Sequence, residues 1–178
     1  MSKSAVMKGF EDKLLFGLGN GYTLTWETYA DGASSGWCKL NRASDLVIVA
    51  GYIAELKGRV MAITPMINED KDMSKCFEID YHFFFEGVDL TVSVLVPESK
   101  GEIESITPIL KSADWHEREM QEFYNVSVKG HPNPKKLLLD GNNNFDENTM
   151  IPLSEAMNGS SSTALWEKVL GSKNGGRM

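Results

Sequence analysis

The chain offers several residue groups whose types do chemistry in other proteins, and each suggests a different reaction. Gly17-Leu18-Gly19-Asn20-Gly21 has the glycine density of a phosphate-cradling loop. Such a loop binds a dinucleotide when a strand precedes it and a helix follows, so that phosphate meets a helix N-terminus. Here Val6, Phe10, Leu14 and Leu15 predict a helix over Ala5–Phe16 before the glycines, and Tyr22–Tyr29 reads as a strand after them. The order is reversed, and the segment is read as a flexible turn. His116-Glu117 opens like a zinc-protease helix, which needs a second His one turn after the first so that both imidazoles face one metal. Position 120 is Met, so the motif fails. Cys38 and Cys76 are too few and too far apart for zinc or an iron–sulfur cluster, which take about four soft ligands in close pairs. They read as reduced, partly buried thiols. His131, between Gly130 and Pro132, has the chemistry of a general base, yet no nucleophile or acid is identifiable beside it in sequence. His82 falls with Glu78 and Asp80 on the polar side of an alternating run and reads as a surface residue. No catalytic, cofactor-binding or metal-binding residue is expected in this chain.

Composition narrows the partners. Lys+Arg number 18 against 25 Asp+Glu, a net charge of −7, with no clustering of cations to overcome it. Such a surface repels a phosphate backbone, so nucleic acid is excluded as a partner. A chain of 178 residues that is 42% hydrophobic is expected to form one domain, burying roughly 70% of the surface its unfolded form exposes. The longest apolar stretch, Leu46 to Ala54, is about nine residues, against the ~20 that a membrane span requires. The polar start, Met1 to Ala5, lacks an export signal, and a cytoplasmic location is expected.

The elements that must position these residues are partly legible. Trp37–Leu40 reads as a short strand after a loop from Asp31 to Gly36. Asn41 is placed to cap a helix running to Lys57, with Gly58 as its left-handed end and a core stripe of Leu46, Val49, Ala50, Ile53 and Leu56. Arg59–Met66 reads as a strand whose Pro65 ends it or puts it at an edge, and Asn68–Lys75 as a loop. Phe77 to Phe85 and Val88 to Val96 alternate apolar and polar residues around Glu86-Gly87, the pattern of an antiparallel hairpin with one buried face. Ile103–Leu110 reads as a short helix or an extended connection. The fold class is α+β: a mixed or antiparallel sheet of about four to five strands, helices packed mainly on one face, and an extended C-terminal tail. Residues 1–139 are assigned to one domain and 140–178 to the tail.

The most informative segment begins at Asp114, with Glu117 three residues on as a capping-box partner. At about 100° per residue, Ala113, His116, Met120, Phe123 and Tyr124 share one face, expected to pack on the sheet. Trp115 projects from roughly the opposite side, beside Glu119 and Glu122. A tryptophan off the core stripe is the type of residue that anchors a partner. Arg118 lies one turn from both Asp114 and Glu122, as an ion-pair ladder would. Pro132 and Pro134 then hold the chain extended as it leaves the domain, and Lys135-Lys136-Leu137-Leu138-Leu139 needs a cover.

Ser112-Ala113-Asp114-Trp115-His116-Glu117-Arg118-Glu119, Phe123-Tyr124-Asn125-Val126-Ser127-Val128-Lys129-Gly130-His131-Pro132 and Lys135-Lys136-Leu137-Leu138-Leu139 together resemble a known signature. It is that of the 30-kDa subunit family of respiratory complex I, which includes related subunits of energy-converting, membrane-bound [NiFe] hydrogenases. The resemblance covers roughly residues 37–139. Glu122 stands where the family usually has Asp, and Asn125 where it has Gly; Asn is the next-best residue for a left-handed helix end. After Leu139 the chain runs Asp140-Gly141-Asn142-Asn143-Asn144-Phe145 in place of a second Gly-Pro-Leu-Arg-Lys-Asp type of stretch, which favours the hydrogenase branch. The resemblance implies a non-catalytic scaffold subunit without a redox centre, peripheral on the cytoplasmic side of the cell membrane and held there by its complex. Its implied partners are a hydrogenase large subunit or a 49-kDa-type subunit, an iron–sulfur small subunit and, through the complex, antiporter-like membrane subunits. The [NiFe] centre and the iron–sulfur clusters belong to those partners. The docking surface is expected to comprise Trp115 as apolar anchor, Glu117, Arg118 and Glu119 fixing register, Gly130, His131 and Pro132 steering the tail, and Lys135 and Lys136 pairing with carboxylates. A quinone-reducing complex I-type enzyme is the alternative within the class. A free-standing hydrolase using His131 or His116, or a regulatory binding module, are the readings from other classes.

Overall fold

The computed structural model describes residues 2–69, 75–98 and 101–138. Helix α1 (Lys3–Leu18) is capped by the Ser2 side chain, which accepts the Ala5 N–H, and buries Val6, Phe10, Leu14 and Leu18 one turn apart. Strands β1 (Tyr22–Thr28) and β2 (Ser34–Leu40) form an antiparallel hairpin, and a 3-10 turn at Ala43–Asp45 leads into α2 (Leu46–Glu55). Strands β3 (Arg59–Glu69), β4 (Lys75–Phe85) and β5 (Val88–Pro97) follow. The sheet order is β1-β2-β5-β4-β3, antiparallel except where β2 runs parallel to β5. A short parallel pair joins β6 (Glu102–Glu104) to β7 (Ser127–Lys129), with α3 (Asp114–Tyr124) between them in the chain.

The alternation of β4 and β5 decides the layering. Ile79, Tyr81, Phe83, Phe85, Leu90, Val92 and Val94 are buried in one cluster with Phe10 and Leu14 of α1, Leu46, Val49 and Ile53 of α2, Met120 of α3 and Ala113 just before it. The helices therefore cover one face of a five-stranded mixed sheet, as expected for the α+β class. On the other face His82 joins two strands, its Nδ1 3.0 Å from Thr91 Oγ1 and its Nε2 3.2 Å from Thr64 Oγ1. Ser93 Oγ donates to Asp80 Oδ1 at 2.5 Å on the same face. The β4–β5 turn places Glu86 at φ 48° and Gly87 at φ 80°, the two positive values that a two-residue hairpin of matching twist requires.

Several boundaries differ from the sequence reading. Strand β2 begins at Ser34, because Ser34, Ser35 and Gly36 pair with Thr28, Glu27 and Trp26. A Cβ at Gly36 would meet the Trp26 ring and Leu90, so this glycine marks close packing inside a strand and not a loop. Helix α2 starts later than Asn41, whose side chain donates instead to the Asn20 carbonyl. It is Lys57, at φ 53°, and not Gly58, that takes the left-handed conformation after it. Strand β3 continues through Pro65 to Glu69 and lies at the sheet edge, where a missing donor leaves no second ladder incomplete. Of the expected 68–75 loop, residues 70–74 lie outside the described residues, as does the tail from 139 onward. None of the described helices is long and apolar enough to cross a membrane.

Candidate functional site

Helix α3 has three faces with three duties. Ala113, Glu117, Met120 and Phe123 are buried, whereas His116 and Tyr124, expected beside them, are only half-buried. The surprise is Glu117, which is 0% exposed. Its carboxylate receives the Ile106 backbone N–H at 2.7 Å, the Ser105 hydroxyl at 2.5 Å and the Thr107 hydroxyl at 2.6 Å. All three partners donate, which is what makes a buried carboxylate tolerable. The expected capping box is therefore absent: the helix starts from Ala113 without a side-chain cap, and Glu117 reaches across to the Ser105–Thr107 turn. Burial of the Tyr81 phenol on the sheet beneath, and then the negative charge of Glu117, push its ionisation well above the usual tyrosine range.

A second face holds the chain that follows. Asn125, at φ 53° and ψ 31°, ends α3 in the left-handed conformation expected of it. Strand β7 and Gly130, at φ 75°, then return the chain to the start of the helix. Prolines at 132 and 134 remove two donors from this returning strap, and backbone groups of residues 135–138 are met by side chains of α3. Arg118 Nε donates to the Lys135 carbonyl at 2.8 Å and its Nη2 to the Lys136 carbonyl at 2.9 Å. Glu122 Oε2 accepts the N–H groups of Leu137 and Leu138 at 3.0 and 2.8 Å. The strap thus folds back over α3 and does not leave the domain at Gly130. In the expected ion-pair ladder, Arg118 Nη1 lies 3.8 Å from Asp114 Oδ1.

His131 is buried at the head of the strap, with Nε2 3.3 Å from the Asp114 carbonyl oxygen and 3.7 Å from Glu117 Oε2. Both ring nitrogens face its own chain, since Nδ1 accepts the Asn133 N–H at 3.0 Å. Among the described residues no group of three or more His, Cys, Asp and Glu side chains is placed to hold a metal ion.

The third face is open. Trp115 is 68% exposed, and Glu119, one turn away, is exposed with it. Of the nine residues expected to dock a partner, Trp115, Glu119, Gly130, Pro132, Lys135 and Lys136 are exposed. Glu117 and His131 are enclosed by their own chain, and the Arg118 side chain is 12% exposed. Charged type suggests surface position, whereas these three groups find partners inside the molecule. Asp114, Glu122, Ser105 and Thr107 were not in the expected set. The one-turn spacing of Asp114, Arg118 and Glu122 carried a signal for a shared stripe; nothing in the spacing of Ser105 and Thr107 pointed to Glu117.

Comparison with known proteins agrees with this architecture. Residues 41–163 match the family described as the respiratory-chain NADH dehydrogenase 30-kDa subunit. The C/D subunit of NADH-quinone oxidoreductase from Methylococcus capsulatus is 25% identical over 130 residues, which are 67% of this chain and 22% of that protein. The J subunit of NAD(P)H-quinone oxidoreductase from Prochlorococcus marinus is 46% identical over 37 residues, 21% of each chain. The chain thus spans about a fifth of the length of these curated relatives. A trypsin-resistant fragment (1–134) of Nqo5 has the same fold, with a TM-score of 0.53 and 19% identity over 75% of this chain and 99% of that one. A chain of the membrane-bound sulfane sulfur reductase, an archaeal respiratory membrane complex, gives a TM-score of 0.51 at 13% identity over 79% of each. With more than half of its length matched, this chain belongs to the family of the respiratory-chain NADH dehydrogenase 30-kDa subunit.

Proposed function

We propose that this protein is a non-catalytic scaffold subunit in the peripheral arm of a complex I-like, membrane-associated oxidoreductase. It docks on the large subunit of that complex through the open face of α3 and the adjoining strap. The observation that carries the reading is the exposure of Trp115 on a helix that is otherwise fixed rigidly, by Glu117 on one side and the clipped strap on another. A large aromatic held at low entropic cost on a rigid element is an efficient interface anchor. Exposed Lys135 and Lys136 on the strap suit a partner surface bearing carboxylates. The family's membership in respiratory oxidoreductases, and relatives whose name joins two subunit letters in one longer chain, support a larger companion for this domain.

Within this class the names of the relatives favour quinone reduction. The energy-converting [NiFe] hydrogenase is the second reading, favoured by the run Asp140 to Phe145 where quinone-reducing members have a further basic stretch. In both cases the redox centres lie in partner subunits. Affinity capture of the tagged full chain from native membranes tests the proposal. Recovery with a 49-kDa-type or nickel–iron large subunit is expected, and nickel-binding cysteine pairs in that subunit select the hydrogenase. Recovery of the chain alone, in detergent that keeps other respiratory complexes intact, would sink the docking reading.

A further inference from the structure

The two edges of the sheet are finished differently. On β3 the Val60 N–H donates to Ser112 Oγ at 2.9 Å, the ladder shifts register between Val60 and Ala62, and Pro65 has no N–H to offer. Each device blunts an edge against further pairing. Strand β1 has none of them. The Tyr29 N–H donates to the Ala33 carbonyl and the Asn41 N–H to the Gly21 carbonyl. By the alternation of an antiparallel ladder, the odd-numbered residues of β1 therefore face β2, and Tyr22, Leu24, Trp26 and Thr28 turn their N–H and C=O groups outward. Among the described residues nothing bonds to those outward groups. The strand, Tyr22-Thr23-Leu24-Thr25-Trp26-Glu27-Thr28, is seven residues of largely aromatic and β-branched type, a composition that suits pairing.

We propose that the outer edge of β1 is an interface, and that it pairs antiparallel with β1 of a second copy of this chain. A two-fold axis through Thr25 overlaps the strand with itself along its whole length. Leu24 then exchanges both backbone hydrogen bonds with Trp26 of the other copy, and Tyr22 does so with Thr28. On the helix-covered side Leu24 meets Trp26, whose ring centroid stands 6.4 Å from that of Phe10 on its own α1. On the open side Thr25 meets Thr25 and Thr23 meets Glu27. Glu27 is the strand's one charge. This register keeps it from its own copy, whereas an axis through Glu27 would oppose the two carboxylates. The chain carries a net −7, yet acids and cations are equal in number over residues 1–40, so the paired ends do not repel. The contact is small for a protein interface and is expected to be weak and concentration-dependent. Helix α3 packs by the β3 edge, at the other end of the sheet. Two joined copies thus leave both Trp115 faces open, and the inference stands apart from the docking reading.

Sedimentation equilibrium of the full chain from about 1 µM to about 1 mM reads its state, and amide exchange over the same range reads the edge. A monomer–dimer equilibrium is expected, in which the Leu24 and Trp26 amides gain protection as dimer forms while Thr25, bonded to β2, stays constant. Thr25→Lys sets two ammonium groups on the axis, and Leu24→Pro deletes an outward donor without touching the β1–β2 ladder. Each is expected to weaken association about tenfold or more. Residues paired at the axis have Cα atoms about 4.5 Å apart, within the span of a disulfide. With oxidised glutathione as oxidant, Thr25→Cys is expected to link two chains and Thr23→Cys to stay unlinked, as the buried Cys38 and Cys76 do. A chain still monomeric at about 1 mM overturns the proposal. So does a dimer that Thr25→Lys and Leu24→Pro leave intact, or a Thr23→Cys link that forms as fast as that of Thr25→Cys. Where Leu24→Pro does not fold, Thr25→Lys and the two cysteine variants, all on the open face, decide.

Discussion

Glu117 owes its place to three donors that no solvent could supply once the helix had docked. Removing it leaves the Ser105 and Thr107 hydroxyls and the Ile106 amide buried without their acceptor. Glu117→Ala is therefore expected to cost about 3 kcal/mol, whereas Glu119→Ala, on the open face of the same helix, costs under about 0.5 kcal/mol. Urea unfolding of both variants measures the contrast, and equal midpoints would contradict it. Cys38 makes a second residue-scale prediction. Burial pushes its thiol up to about 12 from an ordinary value of 9.0. The unfolded chain gives up this proton near pH 9 and the folded chain does not, so the folded state binds more protons between about 9 and 12. Its stabilising contribution is complete below that window and is lost as pH rises through it, and the Tyr81 phenol adds with the same sign. The urea midpoint is expected to fall between about pH 9 and 11, less steeply in Cys38→Ala. A midpoint flat over that range would rule this out.

At the scale of the element, the strap is an irregular segment made regular by its neighbour. Prolines forbid it a ladder, and Arg118 and Glu122 hold its backbone by carbonyl and amide groups, which every residue type possesses. The side chains of Lys135 and Lys136 are thereby left outside the clip. Arg118→Ala is expected to accelerate tryptic cleavage after Lys135 and Lys136 several-fold, as read by mass spectrometry, with Glu119→Ala as the unchanged control. Arg118→Lys rescues this only in part, since an ammonium lacks the planar fork that reaches two carbonyls at once. Identical cleavage rates in all variants would mean that the strap is held by something else. Sequence reading found the helix and its left-handed end at Asn125, because amphipathic spacing and cap chemistry are local. It sent the strap outward because the partners of Lys135 and Lys136 lie 17 and 18 residues earlier, with no periodicity to announce them.

For the whole molecule, the layers and the open face of α3 divide stability from assembly. Met120, Ala113 and the aromatic residues of β4 hold α3 on the sheet, and Trp115 contributes little to that packing. Trp115→Ala is expected to leave the urea midpoint within about 0.5 kcal/mol of wild type and to lower recovery of the large subunit about tenfold or more, as the loss of an anchor does. Unchanged recovery would remove Trp115 from the interface. The hairpin of β4 and β5, the class of the fold and the position of the helix that matters were set by the sequence alone. Period-two alternation, the hairpin turn at Glu86-Gly87 and the left-handed helix end at Asn125 act between residues a few positions apart, so they are legible without the fold. Only the tertiary structure decided that Glu117 and His131 point inward, that Arg118 grips its own backbone and that Trp115 remains outside. A charged group goes where its hydrogen bonds can be completed, and those partners come together only when distant segments meet.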